Sequence, residues 1–186
     1  MTKFSRRALG LAALAAMGLT AACGNPIGNT NPQKIDARVD ATLGFLYENY
    51  PEAREVQAKS VAVLVMPVIT EAGLGIGGSY GQGALRIDGY TVDYYSAAAA
   101  NVGLQIGAQQ YAHVLFFMSQ QSLERFRRNE GWAAGADIEY AFSHEGENFR
   151  TDTNSGLSPV VAYVFAQAGA RIGATLEGVK YTRIIP

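Results

Sequence analysis

The stretch Gly73-Leu74-Gly75-Ile76-Gly77-Gly78-Ser79-Tyr80-Gly81-Gln82-Gly83 constrains this chain more than any other. Each glycine costs roughly 1 kcal/mol against alanine inside a helix, so a helix cannot run through it. Gly73, Gly75 and Gly78 do satisfy G-x-G-x-x-G, the letter pattern of a dinucleotide fingerprint. That fingerprint needs a helix to begin at its glycines and an acid about 20 residues on. Asp88 and Asp93 stand in the region for the acid, but Gly81 and Gly83 deny the helix. There is no G-K-[ST] phosphate loop either. A different regularity decides the reading. Gly73, Gly75, Gly77, Gly81 and Gly83 share one parity. In a strand they form a side-chain-free strip, which lets another backbone or a helix approach, or lets the sheet bend and bulge.

The surroundings agree with a sheet. Strand patterns run over Val61 to Val65, Leu74 to Ile87, Tyr90 to Ala98, Val102 to Ala108, Ala112 to Met118, Ala134 to Phe142, Val160 to Ala166 and Ala170 to Thr182. One helix, Gln120 to Asn129, interrupts them, with a basic last turn and Gly131 beyond its end. Glycine recurs at Gly103 and Gly107 and at Gly169, Gly173 and Gly178. Before the strands, Ile35, Val39, Leu43, Leu46 and Tyr50 recur at spacings of three and four, one apolar helical stripe from Lys34 to Tyr50. Core packing explains the stripe. A membrane-apposed helix fits less well, because the polar face is mixed in sign. Pro51 opens a second short helix, to about Ala58. The expected fold is α+β. It has a mainly antiparallel, strongly curved sheet, sandwich or barrel-like, with N-terminal amphipathic helices and one short helix inserted.

The first 22 residues read as a signal peptide rather than part of the fold. Lys3, Arg6 and Arg7 precede an apolar run from Ala8 to Ala22, too short to span a bilayer comfortably. Leu19-Thr20-Ala21-Ala22-Cys23 resembles the lipobox of bacterial lipoproteins, with Leu19 one place early. Cys23 is the single cysteine, so no intramolecular disulfide can form, and the resemblance assigns it as the lipid attachment residue. Ser5-Arg6-Arg7-Ala8-Leu9 also resembles a twin-arginine signal, which leaves that route and general export both open. Residues 23–33, rich in Gly, Asn and Pro, read as the lipidated cysteine and a flexible tether. The domain follows at 34–186. The expected location is the cell envelope, exported and lipid-anchored, at the outer membrane facing the periplasm.

Cleavage changes the charge. Removing Lys3, Arg6 and Arg7 from 15 basic residues leaves 12 against 16 acidic ones, a net near −4. That argues against nucleic acid as a partner. With 48% hydrophobic and 17% charged residues, the chain is globular in composition.

Three segments carry a family resemblance: AKSVAVLVMPVITEAGLGIGGSYGQGAL, NVGLQIGAQQYAHVLFFMSQQSLERF and PVVAYVFAQAGARIGATLEGVKYTRI. In that order they resemble a SYLF domain, in its bacterial lipoprotein branch, over about Ile35 to Pro186. The resemblance implies phospholipid-headgroup binding and, for eukaryotic members, phosphoinositide and actin binding. Two departures matter. Tyr94-Tyr95-Ser96-Ala97 replaces a Trp-Ser-x-Pro turn, and the His144 to Arg150 loop replaces Gly-Pro-x-Gly-Arg. Actin binding is therefore not carried over.

Catalytic patterns are thin. His113 lies in an apolar strand and reads as structural, and His144 lies in a polar loop. Asp137 and Glu139 share a strand face without a partner acid. H-E-x-x-H and Cys/His metal spacing are missing from the sequence. No enzyme activity, cofactor or metal is expected. For anionic headgroups the candidates are Arg125, Arg127 and Arg128 near Trp132, and Lys180 and Arg183 near the end, since guanidinium chelates phosphate oxygens. Glu177 is a candidate structural partner for the latter two. The expected function is a lipid-anchored envelope protein that binds anionic phospholipid at the membrane surface. The alternative is an envelope scaffold or protein-interaction module that uses lipid only as its anchor.

Overall fold

A computed structural model describes residues 31–129, 131–133, 138–141, 159–165, 176 and 178–186, with side chains described except at 74–75, 101–107 and 138–141. The signal segment, Cys23, Asp137, His144, Gly169, Gly173 and Glu177 lie outside the described residues. So does the side chain of Glu139. The order is α1 (Pro32–Asn49), α2 (Ala53–Lys59), β1 (Ala62–Ile87), β2 (Tyr90–Phe117), α3 (Gln120–Arg128), β3 (Trp132–Ala133), β4 (Ile138–Ala141), β5 (Val160–Phe165) and β6 (Lys180–Ile184).

β1 and β2 form one long antiparallel ribbon, paired from Ala62↔Phe117 to Ile87↔Tyr90. It closes at Asp88-Gly89, both with positive φ (50° and 83°), the two-residue turn whose twist matches that of the strands. The five strands expected between Val61 and Met118 are thus two. The polar breaks at Asn101, Gln109 and Gln110 are paired in the ladder, opposite Gly77, Glu71 and Thr70, and the irregularities of the ribbon are register shifts rather than turns. One shift lies between Met66 and Ile69, around Pro67, where a bulge tolerates a residue without an N–H. Another lies at the fold of the ribbon: Leu74 pairs Ile106 and Ile76 pairs Val102, so Gly75 faces Gly103, Leu104 and Gln105.

There the ribbon doubles back. A strand of this length would extend about 85 Å, yet its two halves touch. A Cβ on Gly73 would stand 2.8 Å from the Cα of Gly77. One on Gly83 would collide with the Val65 carbonyl oxygen, and one on Gly81 with the Val68 carbonyl and Ile69. The backbone that the glycine strip admits is its own strand's. β2 then carries β5 along Ala112–Phe117 and β6 along Tyr94–Ala98, while β3 extends β6. β4 pairs β5 in parallel, the one parallel ladder among the described strands. The fold is α+β with a mainly antiparallel, strongly curled sheet.

Two cores result. The inner face packs Leu64, Met66, Ile69, Leu85, Tyr95, Leu115, Phe117 and Tyr181, closed by Leu123 and Phe126 of α3. The outer face packs Val63, Val65, Val114, Phe116 and Phe165 under α1, whose Ile35, Val39, Leu43 and Leu46 are buried there. The apolar stripe of α1 is core packing. The helix begins at Pro32, two residues before the expected start, because Asn31 caps it by accepting from the Lys34 N–H at 3.2 Å. Its polar side is fastened too. Asp36 accepts from the Thr91 and Tyr94 hydroxyls at 2.8 and 2.9 Å, and Asp40 pairs with Arg86 at 2.6 Å. Among the described residues, no helix is long and apolar enough to cross a membrane.

Candidate functional site

The site forms where α3 and β6 meet the beginning of β2. α3 starts on a capping box: the Ser122 N–H donates to the Ser119 hydroxyl, and the Ser119 N–H to Ser122 Oγ. Leu123 and Phe126 point into the inner core. Arg127 follows Leu123 by four residues, so it leaves the helix on the buried side and reaches the sheet.

Its target is Asp93, on the same face of β2 as Tyr95 and Ala97. The Asp93 side chain is 1% exposed. Arg127 Nη2 donates to its Oδ2 at 3.0 Å, and Arg183 Nη2 to its Oδ1 at 2.5 Å. Burial, then the Asp93 charge, raises the Tyr95 pKa above that of an ordinary phenol, so Tyr95 stays neutral. One buried carboxylate holds two guanidiniums whose side chains are 43% and 66% exposed. A guanidinium has five N–H donors in a fork, so each arginine keeps donors that face water. The three groups together carry one net positive charge.

The two candidate sets thus meet through a residue in neither. Arg127 and Arg183 come together. Arg128 instead pairs with Glu124 along the helix at 2.8 Å, and Arg125 is exposed elsewhere on α3. Lys180 is exposed on β6, on the opposite face from Arg183 by strand alternation. Trp132 lies beside the site, its ring 5.3 Å from Phe126 and 5.7 Å from Tyr181. Asp93 had one sequence signal: an acid sharing parity with Tyr95 and Ala97 on an otherwise apolar face must find a cation there.

His113 lies deeper. Its Nε2 is 2.8 Å from the buried Tyr181 hydroxyl, and its Nδ1 has no hydrogen-bond partner among the described residues. Burial pushes its pKa down to about 3, so it is neutral at physiological pH. It is structural on the Nε2 side and unsatisfied on the other.

Residues 98–183 match the family model Ysc84. Its description is Las17-binding protein actin regulator, and the match spans a little under half of the chain. It supports the SYLF resemblance. No curated protein matches the chain significantly. Arg127 and Arg183 fall inside the SYLF-matched span, and Asp93 stands just before it.

Proposed function

We propose that the domain binds phospholipid at a membrane surface, with Arg127 and Arg183 as the groups that meet an anionic headgroup. The observation that carries this is the paired guanidiniums on one buried carboxylate. Asp93 orders them and neutralises only one, so a phosphate gains preorganised, bidentate donors without the cost of collecting two loose side chains. The SYLF match is consistent with a lipid-binding domain. Each basic residue near an anionic surface contributes about 1 kcal/mol. Binding by this pair alone is weak, and a lipid on Cys23 makes weak binding sufficient. Attachment at Cys23, export to the envelope, the bacterial lipoprotein branch and the absence of catalysis belong to the same proposal.

The test is co-sedimentation of the unlipidated domain with anionic vesicles at low salt. Binding that fails for every anionic composition sinks the reading. The description of the matched family, Las17-binding protein actin regulator, favours a second reading, a protein-interaction module of the envelope. Cross-linking in envelope extracts separates the two: a specific protein partner without vesicle binding supports the second.

A further inference from the structure

The rim of the same site has an order that a water-facing edge would not have. Along the inner side of β6, Tyr181 is buried in the core, Arg183 reaches Asp93, and Ile185, two residues on, is 96% exposed. Along β2 the order repeats in reverse. Ala97, Tyr95 and Asp93 are buried, then Val92 is 41% and Tyr90 77% exposed. The Tyr94↔Ile184 register, continued by one residue, sets Ile185 beside Asp93. The β1–β2 register shifts between Leu85 and Arg86, setting Val92 out of the ladder as a bulge. Of the four large exposed hydrophobics among the described residues, three therefore gather at this rim. The fourth, Ile76, lies at the fold of the ribbon.

From core to rim the sequence is apolar, then guanidinium, then apolar again. A bilayer presents a complementary series: anionic headgroups outside, acyl chains beneath them. Tyrosine suits that boundary, with a ring for the apolar side and a hydroxyl for the wet side. We infer that the tip of the β1–β2 hairpin, with Tyr90 and Val92, and the Ile185 segment after β6 insert into a phospholipid bilayer while Arg127 and Arg183 stand at its phosphates. This rests on the phospholipid reading and adds the penetrating element and the orientation. The outer face beneath α1 is not the membrane face, since its apolar side chains are spent on the helix.

The experiment uses the full chain in phosphatidylcholine vesicles containing phosphatidylglycerol. Energy transfer from Trp132, the single tryptophan, to a dansyl-labelled headgroup reports docking of the site. Insertion is read in a second chain, Tyr90→Trp with Trp132→Phe, by quenching from lipids brominated on their acyl chains. The expected result is transfer from Trp132 together with a blue shift and quenching at position 90. That quenching should be several-fold stronger than for Glu48→Trp with Trp132→Phe, which probes exposed α1. Transfer without acyl quenching at 90 overturns the insertion and leaves the phospholipid reading standing. Loss of both overturns both. A solution dimer dispersed by Tyr90→Ser with Ile185→Ser would assign the rim to a second copy and overturn the insertion as well.

Discussion

Asp93 holds two arginines with one carboxylate, so removing it acts on charge and on order in opposite directions. Asp93→Asn raises the local charge by one, worth about 1 kcal/mol, but releases two guanidiniums whose ordering then costs about 1 kcal/mol each on binding. Affinity for anionic vesicles is expected to fall about fivefold, the net of about 1 kcal/mol. The double variant Arg127→Ala with Arg183→Ala is expected to lose about 30-fold by the same arithmetic. It is also expected to lose about 3 kcal/mol of stability, because it strands a buried carboxylate. Vesicle titration and urea unfolding measure the two effects separately. An ion pair of purely structural role would lower stability in both variants and leave vesicle affinity unchanged. His113 gives a pH dependence with a definite sign. Its pKa is about 3 when folded against 6.5 ordinarily. Between these values the unfolded chain binds a proton that the folded chain refuses, so stability falls as pH drops. The slope reaches about 1.4 kcal/mol per unit. His113→Gln keeps a partner for the Tyr181 hydroxyl and removes that titration. Urea midpoints at neutral pH and about pH 4.5 should converge relative to the wild type.

At the scale of elements, the ribbon crossing is the sensitive place. Gly83→Ala drives a methyl into the Val65 carbonyl and the Met66 sulfur. It is expected to cost about 3 kcal/mol or more, since backbone cannot step aside as a side chain can. Gly44→Ala in α1 is the control: its Cβ meets nothing within 4 Å, and the variant is expected to gain about 1 kcal/mol. Thermal unfolding of the pair checks both. That contrast also marks what the sequence could show. Parity made the Gly73–Gly83 strip legible as a place of close backbone approach. Nothing local named Val65 as the neighbour, because a contact across 18 positions of one strand is set by the fold-over. The helices were legible from spacing, but the split of the ribbon into five strands was not correct. Gln109, Gln110 and Asn101 read as breaks, although β2 runs through them. At the site, the arginines were legible as cations, yet their choice of partner depends on β6 lying against β2. That pairing closes only through tertiary structure, so the parity of Asp93 demands a cation without saying which.

For the whole molecule, the net charge is −1, and near −4 with the proposed cleavage of the basic leader, so attraction to an anionic surface must come from a local patch. Vesicle binding of the unlipidated domain is expected to weaken steeply between about 0.05 and 0.5 M salt, as screening shortens to a few ångströms. Protein isolated from its own membrane is expected to carry a diacylglycerol on Cys23, read as added mass in intact-protein mass spectrometry. The doubled ribbon has a further consequence. Its two halves supply walls of the inner core, and the same two strands run through both, paired on either side of the register shift at the fold. A domain built from two separate sheets has a seam along which one sheet can breathe away from the other. Here the seam is replaced by unbroken chain, so the walls form one cooperative unit. Amides at Leu64 and Leu85, on the two halves of β1, should exchange with solvent only in the same opening event.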